Sequence, residues 1–335
     1  MGLGARADRV DPTICQARHA ATVGAADNDG MSRLDVVIPA YKARYLPRLL
    51  QSLVAQTARG FRVWVVDDAS PEPIEATCAP YIGQLDLRYY RFETNLGGRD
   101  LAGHWNRAVV LTDAPWVILP GDDDVFDPGC LQALLRHLDT ADSSCQCLSF
   151  AVRTIDAEDR QLAQSPATRC SDAADFLLQR LRSQVMPVTI GYAFARQAFD
   201  RAGGFVSFDR GWHSDDASWA LFGAAHGIEP VPGGSVAWRQ SEANISPQMR
   251  TDPRRTLAAH LSFLQWLTAQ RMPLGLDDAR LRELADAVAA VMRWELAQAP
   301  LSVWLQIVWP LSCRIATYTD HSVLSELLLC VKWRI

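Results

Sequence analysis

The residues most able to do chemistry in this sequence are two acidic clusters. The sharper is Gly121-Asp122-Asp123-Asp124-Val125-Phe126. Adjacent carboxylates repel one another unless a cation neutralises them. A hard divalent ion takes oxygen ligands and fills its remaining positions with water and substrate phosphates. The segment therefore suits a metal holding a diphosphate. Taken alone, it suits equally an acidic turn capping the next helix, with Asp127 near its start. The second cluster is Val65-Val66-Asp67-Asp68-Ala69-Ser70. A carboxylate there can accept hydrogen bonds from a nucleobase N–H or a ribose hydroxyl, or cap the turn that runs into Pro71 and Pro73.

The surrounding pattern brings these clusters together. Residues 34–40 are a short apolar, β-branched run, which predicts a buried strand. Residues 45–57 set Leu46, Leu49, Leu50, Leu53 and Val54 at helical spacing. Strands are likewise expected over 61–66, 87–92 and 116–119, and helices over 74–85, 101–111 and 131–138. Repeated strand–helix units imply parallel strands with right-handed crossovers, and strands this apolar are covered on both faces. Ligands in such sheets sit beyond the carboxyl ends of the strands, which is where 67–68 and 122–124 fall. After Ser144 the pattern loosens, with strands expected over 147–152, 191–196 and 236–239 and a helix over 218–225. Beyond Pro253 two apolar stripes predict a helical region: Leu257, Leu261, Leu264 and Leu267, then Leu281, Leu284, Val288, Val291 and Met292.

Composition removes several classes. The 335 residues are 49% hydrophobic and 21% charged, with a formal net charge of −5. That is enough chain for a sizeable core. Glycine and proline, at 20 and 18, are too few for a collagen-like or low-complexity sequence. The acidic balance speaks against a nucleic-acid protein, which shows a basic stripe. No apolar stretch reaches the roughly 18 residues of a membrane span. The eight cysteines form no CxxC pair. Cys145 and Cys147 have no matching pair or histidine, so buried thiols in a reducing cytosol are expected. No GxGxxG or Walker A sequence follows a strand and no HExxH pattern occurs, which speaks against dinucleotide, P-loop and zinc-hydrolase chemistry.

Val36-Val37-Ile38-Pro39-Ala40-Tyr41-Lys42, the Asp67-Asp68 segment, Asn95-Leu96-Gly97 and the acidic segment at 121–125 occur in that order. Over roughly 34–245 the chain resembles the family 2 inverting glycosyltransferases. The resemblance implies an α/β GT-A fold, a Rossmann-like and mostly parallel sheet flanked by helices. It also implies a nucleotide-diphosphate sugar as donor and Mg²⁺ or Mn²⁺ as cofactor. Carried over, Pro39 and Tyr41 border the nucleotide, Asp67 holds the base or ribose, and Asp68 assists it. Asn95, Gly97 and Arg99 are further candidate donor contacts, with Asp100 and Asn106 on the helix that follows. The family's Asp-x-Asp-Asp register puts Gly121 where the first Asp often stands. That leaves Asp123 as leading metal ligand, Asp124 as the second and Asp122 facing the ribose or sugar.

The family's catalytic base sits in an acidic pair after a Gly-Gly-Phe element. Gly203-Gly204-Phe205 and Asp215-Asp216 match, with Asp216 at the base position and Asp215 beside it. Without that role, the pair reads as the N-terminal turn of a helix over 217–225. Arg239, Asn244 and Ser246 match a downstream family segment in which Ser241 replaces a histidine; Arg239 is a candidate partner of the diphosphate. Trp212 and Trp219 flank the acidic pair and are candidates to stack on an acceptor sugar.

The expected organisation is a mobile extension over 1–33 with Met31 as a candidate true start, a catalytic domain over 34–245 and a helical region over 246–335. The expected partners are the donor and a saccharide or lipid-linked saccharide acceptor, as in bacterial surface polysaccharide or glycolipid synthesis. The expected location is the cytoplasm or the inner face of the cell membrane. Trp304, Trp309, Leu327, Leu328, Leu329 and Trp333 in the tail suit packing on the catalytic domain, a dimer contact or a membrane interface. Two other readings compete. A sugar nucleotidyltransferase would carry a Gly-rich basic loop after the first strand, and a nucleotide-sugar-binding protein without activity would have no need of Asp123 and Asp216.

Overall fold

The computed structural model describes residues 32–140, 144–241 and 252–334. The N-terminal extension with Met31, and the Asn244 and Ser246 matches, lie outside the described residues. So does the expected boundary at 245.

Strands β1 (Leu34–Ala40), β2 (Phe61–Asp67), β3 (Leu87–Arg91) and β4 (Trp116–Ile118) alternate with helices α1 (Leu46–Val54), α2 (Ile74–Cys78) and α3 (Leu101–Val110). These strands lie parallel in the order β3-β2-β1-β4. The second half adds β5 (Val125–Phe126), α4 (Cys130–Thr140), β6 (Cys147–Ile155), β7 (Gln161–Ser165) and α5 (Ala173–Leu181). It continues with β8 (Tyr192–Ala195), α6 (Arg196–Ala202), α7 (Ser214–Phe222) and β9 (Glu229–Arg239). The sheet runs on from β4 as β8-β6-β9-β5, with β7 on β6. Here β8 is antiparallel to both β4 and β6, and β9 is parallel to β6.

Each central strand sends alternate side chains to opposite faces. Val36 and Ile38 of β1, with Val63 and Val65 of β2, join the Leu46, Leu49, Leu50 and Leu53 stripe of α1 on one face. Val37, Trp64 and Val66 join α3, α5 and α7 on the other. Helices α8 (Pro253–Ala269), α9 (Asp278–Gln298), α10 (Leu301–Ile315) and α11 (Val323–Arg334) follow. Phe263, Met292, Trp304 and Cys330 from these helices are continuous with Phe205 and Trp219 in that second cluster. The C-terminal helices thus share the core on one face of the sheet.

Departures from expectation have local causes. The helix expected over 74–85 stops at Cys78 and gives way to a 3-10 turn at Ala79–Tyr81, because Pro80 brings no N–H to a helical ladder. The helix expected over 218–225 begins earlier, at Ser214, with Asp215 and Asp216 in its first turn. There the positive end of the helix dipole favours acids. The sequence pattern does not announce β7, since Gln161, Leu162, Ala163 and Gln164 are all exposed and show no buried face.

Cys145 and Cys147 are buried free thiols. No helix among the described residues is long and apolar enough to cross a membrane. The outer faces of α10 and α11 nonetheless expose Leu301, Leu305, Trp309, Leu324 and Leu328.

Candidate active site

The carboxyl ends of β1, β2 and β4 border a cavity of about 490 Å³. Pro39, Tyr41, Asp68, Asn95, Gly97, Asp122, Asp123 and Asp215 line it. Asp67, Arg99, Asp124, Asp216 and Arg239 do not.

Asp68 organises the β3–α3 loop. Its Oδ1 accepts the Leu96 N–H at 2.9 Å and the Arg107 guanidinium, and its Oδ2 accepts the Gly97 N–H and Asn95 Nδ2, both at 2.7 Å. A Cβ on Gly97 would lie 2.9 Å from that Oδ2, so the Asn-x-Gly spacing makes room for the carboxylate. The expected order of the Asp67-Asp68 pair is reversed. Asp67 is fully buried and accepts the Ser70 N–H, the Tyr89 hydroxyl and Arg91, so it braces the loop while Asp68 faces the cavity. Arg99 is exposed away from it. Asn106 pairs in both directions with the backbone of Phe205, which makes it a tie to the Gly-Gly-Phe element.

The aspartates at 122–124 face three ways. Asp122 Oδ2 accepts the Tyr41 and Lys42 N–H groups at 2.8 and 2.7 Å, closing the loop after β1. Burial lifts its carboxyl to about 6 against those two bonds. Asp124 lies beneath the loop, where its oxygens accept the Gly121 N–H at 2.7 Å and the Arg239 N–H at 3.3 Å. Burial, with Asp123 beside it, raises it well above the usual range. By sequence it is a candidate second metal ligand; its oxygens turn toward the loop backbone and it does not line the cavity. Asp123 keeps its carboxylate at the cavity, raised by burial while Lys42 and Arg239 oppose the rise. A Cβ on Gly121 would come within 3.1 Å of Asp123 and 3.2 Å of Asp124, which accounts for glycine at this position.

Arg239 is likewise corrected. It is fully buried, donates to the Asp123 and Asp156 carbonyls at 2.8 and 2.6 Å, and pairs with Asp159. It clamps the acidic turn to the β6–β7 hairpin and stays clear of the cavity.

The acidic pair stands at the first turn of α7. Asp215 lines the cavity, and burial together with the Asp216 charge lifts it to about 7. Asp216 is buried below. Its Oδ1 accepts Arg180 Nε at 2.7 Å, and its Oδ2 lies 2.8 Å from His213 Nδ1. Burial raises its carboxyl, but Arg180 and His213 outweigh that and hold it at about 2. Of the pair, only Asp215 borders this first cavity, whereas Asp216 borders a second one beside it. The second cavity, of about 810 Å³ between α5, α7 and α9, shares Gly211, Trp212 and Asp215 with the first. Trp219 is buried, stacks on Tyr192 and donates to the Pro187 carbonyl, so it has no face for a sugar.

Lys42, His104, Arg210 and Trp238 also line the first cavity. Lys42 closes the Val-Val-Ile-Pro-Ala-Tyr-Lys segment, so adjacency to Tyr41 is its available signal. Arg210 sits in a loop whose sequence announces nothing. His104 is buried, and its Nδ1 accepts Arg107 Nε at 3.2 Å. Its Nε2 has no partner among the described residues. Burial and the Arg107 charge lower it to about 4, so the ring is neutral with Nε2–H as a donor.

Fold comparison finds the same overall architecture in solved structures. S. aureus TarS 1–349, crystallised with UDP-GlcNAc, superposes with a TM-score of 0.66 at 16% identity, over 90% of this chain and 89% of that one. The mannosyltransferase PcManGT from Pyrobaculum calidifontis, in complex with GDP-Man and Mn²⁺, gives 0.51 at 15% identity over 96% and 93%. In sequence, the succinoglycan biosynthesis protein ExoW of Rhizobium meliloti (strain 1021) is 32% identical over 122 residues, 36% of this chain and 38% of that protein. An uncharacterized glycosyltransferase of Nostoc sp. (strain PCC 7120 / SAG 25.82 / UTEX 2576) is 26% identical over 174 residues, 50% of this chain and 52% of that protein. The chain thus spans about half or less of the length of these curated relatives. Residues 35–204, just over half of the chain, match the family profile described as Glycosyl transferase family 2. With the GT-A fold and the ordered motifs around one cavity, that match makes this chain a member of glycosyl transferase family 2.

Proposed function

We propose that the chain moves a sugar from a nucleotide-diphosphate donor to a saccharide hydroxyl in a single displacement that inverts the anomeric carbon. One observation carries this reading: a single cavity bordered by Asp123 and by Asp215. The nucleotide-sugar ligands of the TarS and PcManGT structures support the donor class. The ExoW name supports polysaccharide synthesis as the setting.

The residues present fit a divalent ion that the diphosphate helps to hold. No group of three or more His, Cys, Asp or Glu side chains among the described residues forms a closed metal site. Mg²⁺ and Mn²⁺ are well served by one or two carboxylates plus substrate phosphates. Asp123 is the carboxylate at hand, with Asp122 next to it. When bound, the ion would neutralise charge developing on the departing diphosphate. Lys42 and Arg210 add positive charge to the same cavity, and the His104 Nε2–H offers a donor to the nucleoside.

Asp215 serves as the base. With a carboxyl near 7, it is partly ionised at neutral pH and accepts the proton of the acceptor hydroxyl. The oxygen then bonds to the anomeric carbon as the carbon–diphosphate bond breaks. A base poised near the working pH is the efficient choice. The acceptor enters through the second cavity, where Trp212, Trp294 and Trp333 offer faces for sugar rings.

Calorimetric titration with UDP-, GDP- and dTDP-sugars, with and without Mn²⁺, tests the reading. Binding of at least one donor, strengthened by the metal, is expected. If no nucleotide sugar binds with any metal, the reading is wrong. Anomeric proton couplings in the NMR spectrum of the product check inversion.

A further inference from the structure

The acidic pair continues into the C-terminal helices. Asp216 Oδ2 meets His213 Nδ1 at 2.8 Å, His213 Nε2 meets His260 Nδ1 at 2.7 Å, and His260 Nε2 meets Glu295 Oε2 at 3.0 Å. These residues come from α7 and the residue before it, from α8 and from α9. Asp216, His213 and His260 are buried. The His213 ring stacks on Phe263 at 4.3 Å with 12° between planes. His213 holds a left-handed backbone with φ of 68°, a conformation that costs a non-glycine residue free energy.

Counting hydrogens fixes the charge of this chain of bonds. Each bond needs one hydrogen. With both carboxylates ionised, His213 donates from Nδ1 to Asp216. His260 donates from Nε2 to Glu295, and the hydrogen of the middle bond makes three on the two rings, one more than two neutral imidazoles carry. Burial lowers His213 to about 4, against a full charge on that ring. One positive charge shared by the two rings therefore sits between two carboxylates, one of which, with one of the rings, comes from the C-terminal helices.

We propose that His260 and Glu295 are positioning residues for the transfer reaction: through His213 they hold Asp216 oriented and ionised beneath Asp215, so the C-terminal helices govern the charge of the acidic pair. This rests on the proposed role of Asp215 as base. Other charges face the pair as well. Arg180 and Arg182 come from α5 and its end, Arg210 from the loop before α7, and Glu283 and Asp286 from α9. Arg180 bonds Asp216 Oδ1 directly from α5; the His213–His260–Glu295 relay is the path of unbroken hydrogen bonds that reaches Asp216 from α8 and α9.

Substituting Glu295→Gln removes the carboxylate that balances the extra proton of the relay. Loss of that proton takes away positive charge near the pair, so Asp215 holds its own proton to higher pH. The test is a ¹³Cγ-aspartate NMR titration of the full chain, with the Asp215 signal assigned by Asp215→Asn. The midpoint is expected near 7 in the native chain. It should rise by about half a pH unit or more in Glu295→Gln and in His260→Gln, and return in Glu295→Asp. Imidazole ¹⁵N spectra at pH 7 should show three ring N–H groups on the His213–His260 pair, with His213 protonated at Nδ1. An Asp215 midpoint that stays put in both variants, even alongside lowered thermal stability, would assign the relay a structural role and overturn the proposal. So would two neutral rings in the native chain. No substrate enters this titration, so its failure leaves the nucleotide-sugar reading to calorimetry, and failure of calorimetry does not alter the titration.

Discussion

The cavity is bounded by two acidic regions built on different principles. On the side proposed to take the donor, Asp122 is satisfied by the Tyr41 and Lys42 N–H groups, and Asp68 by those of Leu96 and Gly97 together with Asn95 and Arg107 of the same loop and its helix. On the acceptor side, Asp216 is satisfied by side chains, Arg180 from α5 and His213 in turn tied to α8. Backbone donors fix the position of an acid through loop geometry. Side-chain donors fix it through the packing of helices that meet only in the folded chain. The first arrangement makes a rigid cradle, and the second makes a carboxylate whose charge depends on its neighbours.

The sharpest way to break this contrast is to remove Asp215, the acid proposed as the base. Asp215→Asn should lower transfer by about 10² to 10⁴-fold while leaving donor affinity within about twofold, read by product release and by calorimetry. An equal loss of donor binding would erase the distinction between the two regions. On the other wall, Asp123→Asn should abolish the Mn²⁺-dependent part of donor binding and spare the fold. A donor affinity that still responds to Mn²⁺ would remove Asp123 from the metal's ligands.

Cradle and charge pair also differ in stability. Asp68→Ala strands Arg107, Asn95 and two backbone N–H groups. It should cost about 3 kcal/mol in denaturant unfolding. Asp215 behaves in the opposite sense. Its carboxyl lies higher in the folded chain, about 7, than its ordinary value of 3.8. The folded state therefore binds the extra proton, and stability is lost as pH rises through 7. Asp215→Asn should accordingly raise the melting temperature by about 2 °C at pH 8 and leave it unchanged at pH 3, as an active-site residue kept at some cost to stability would. The smallest effect is expected at exposed Arg99, where alanine should change donor affinity by less than about twofold.

Much of the donor side is legible in the amino-acid sequence. The apolar runs of β1 and β2 end at Ala40 and Asp67, and hydrophobicity alone announces such strands. The loop residues that follow, Tyr41, Asp68, Asn95 and Gly97, then reach one cavity. What each acid does is less legible. Asp67 and Asp68 are adjacent and chemically identical, yet alternate positions at the end of a strand point to opposite sides, so one is buried and the other lines the cavity. Asp122, Asp123 and Asp124 are divided in the same way by a single turn.

By itself the sequence determined the order of the motifs, the parallel strands that carry them and the ends at which they lie, because hydrophobic periodicity and turn residues act over a few neighbours. Only the tertiary structure decided that Arg239 is a clamp, that Trp219 is core, that Asp215 faces the cavity, and that His260 and Glu295 stand behind Asp216. The clamp and the relay behind Asp216 depend on contacts between residues 35 to 116 positions apart in the chain. Burial and charge at such contacts are properties of packing, and no local pattern encodes them.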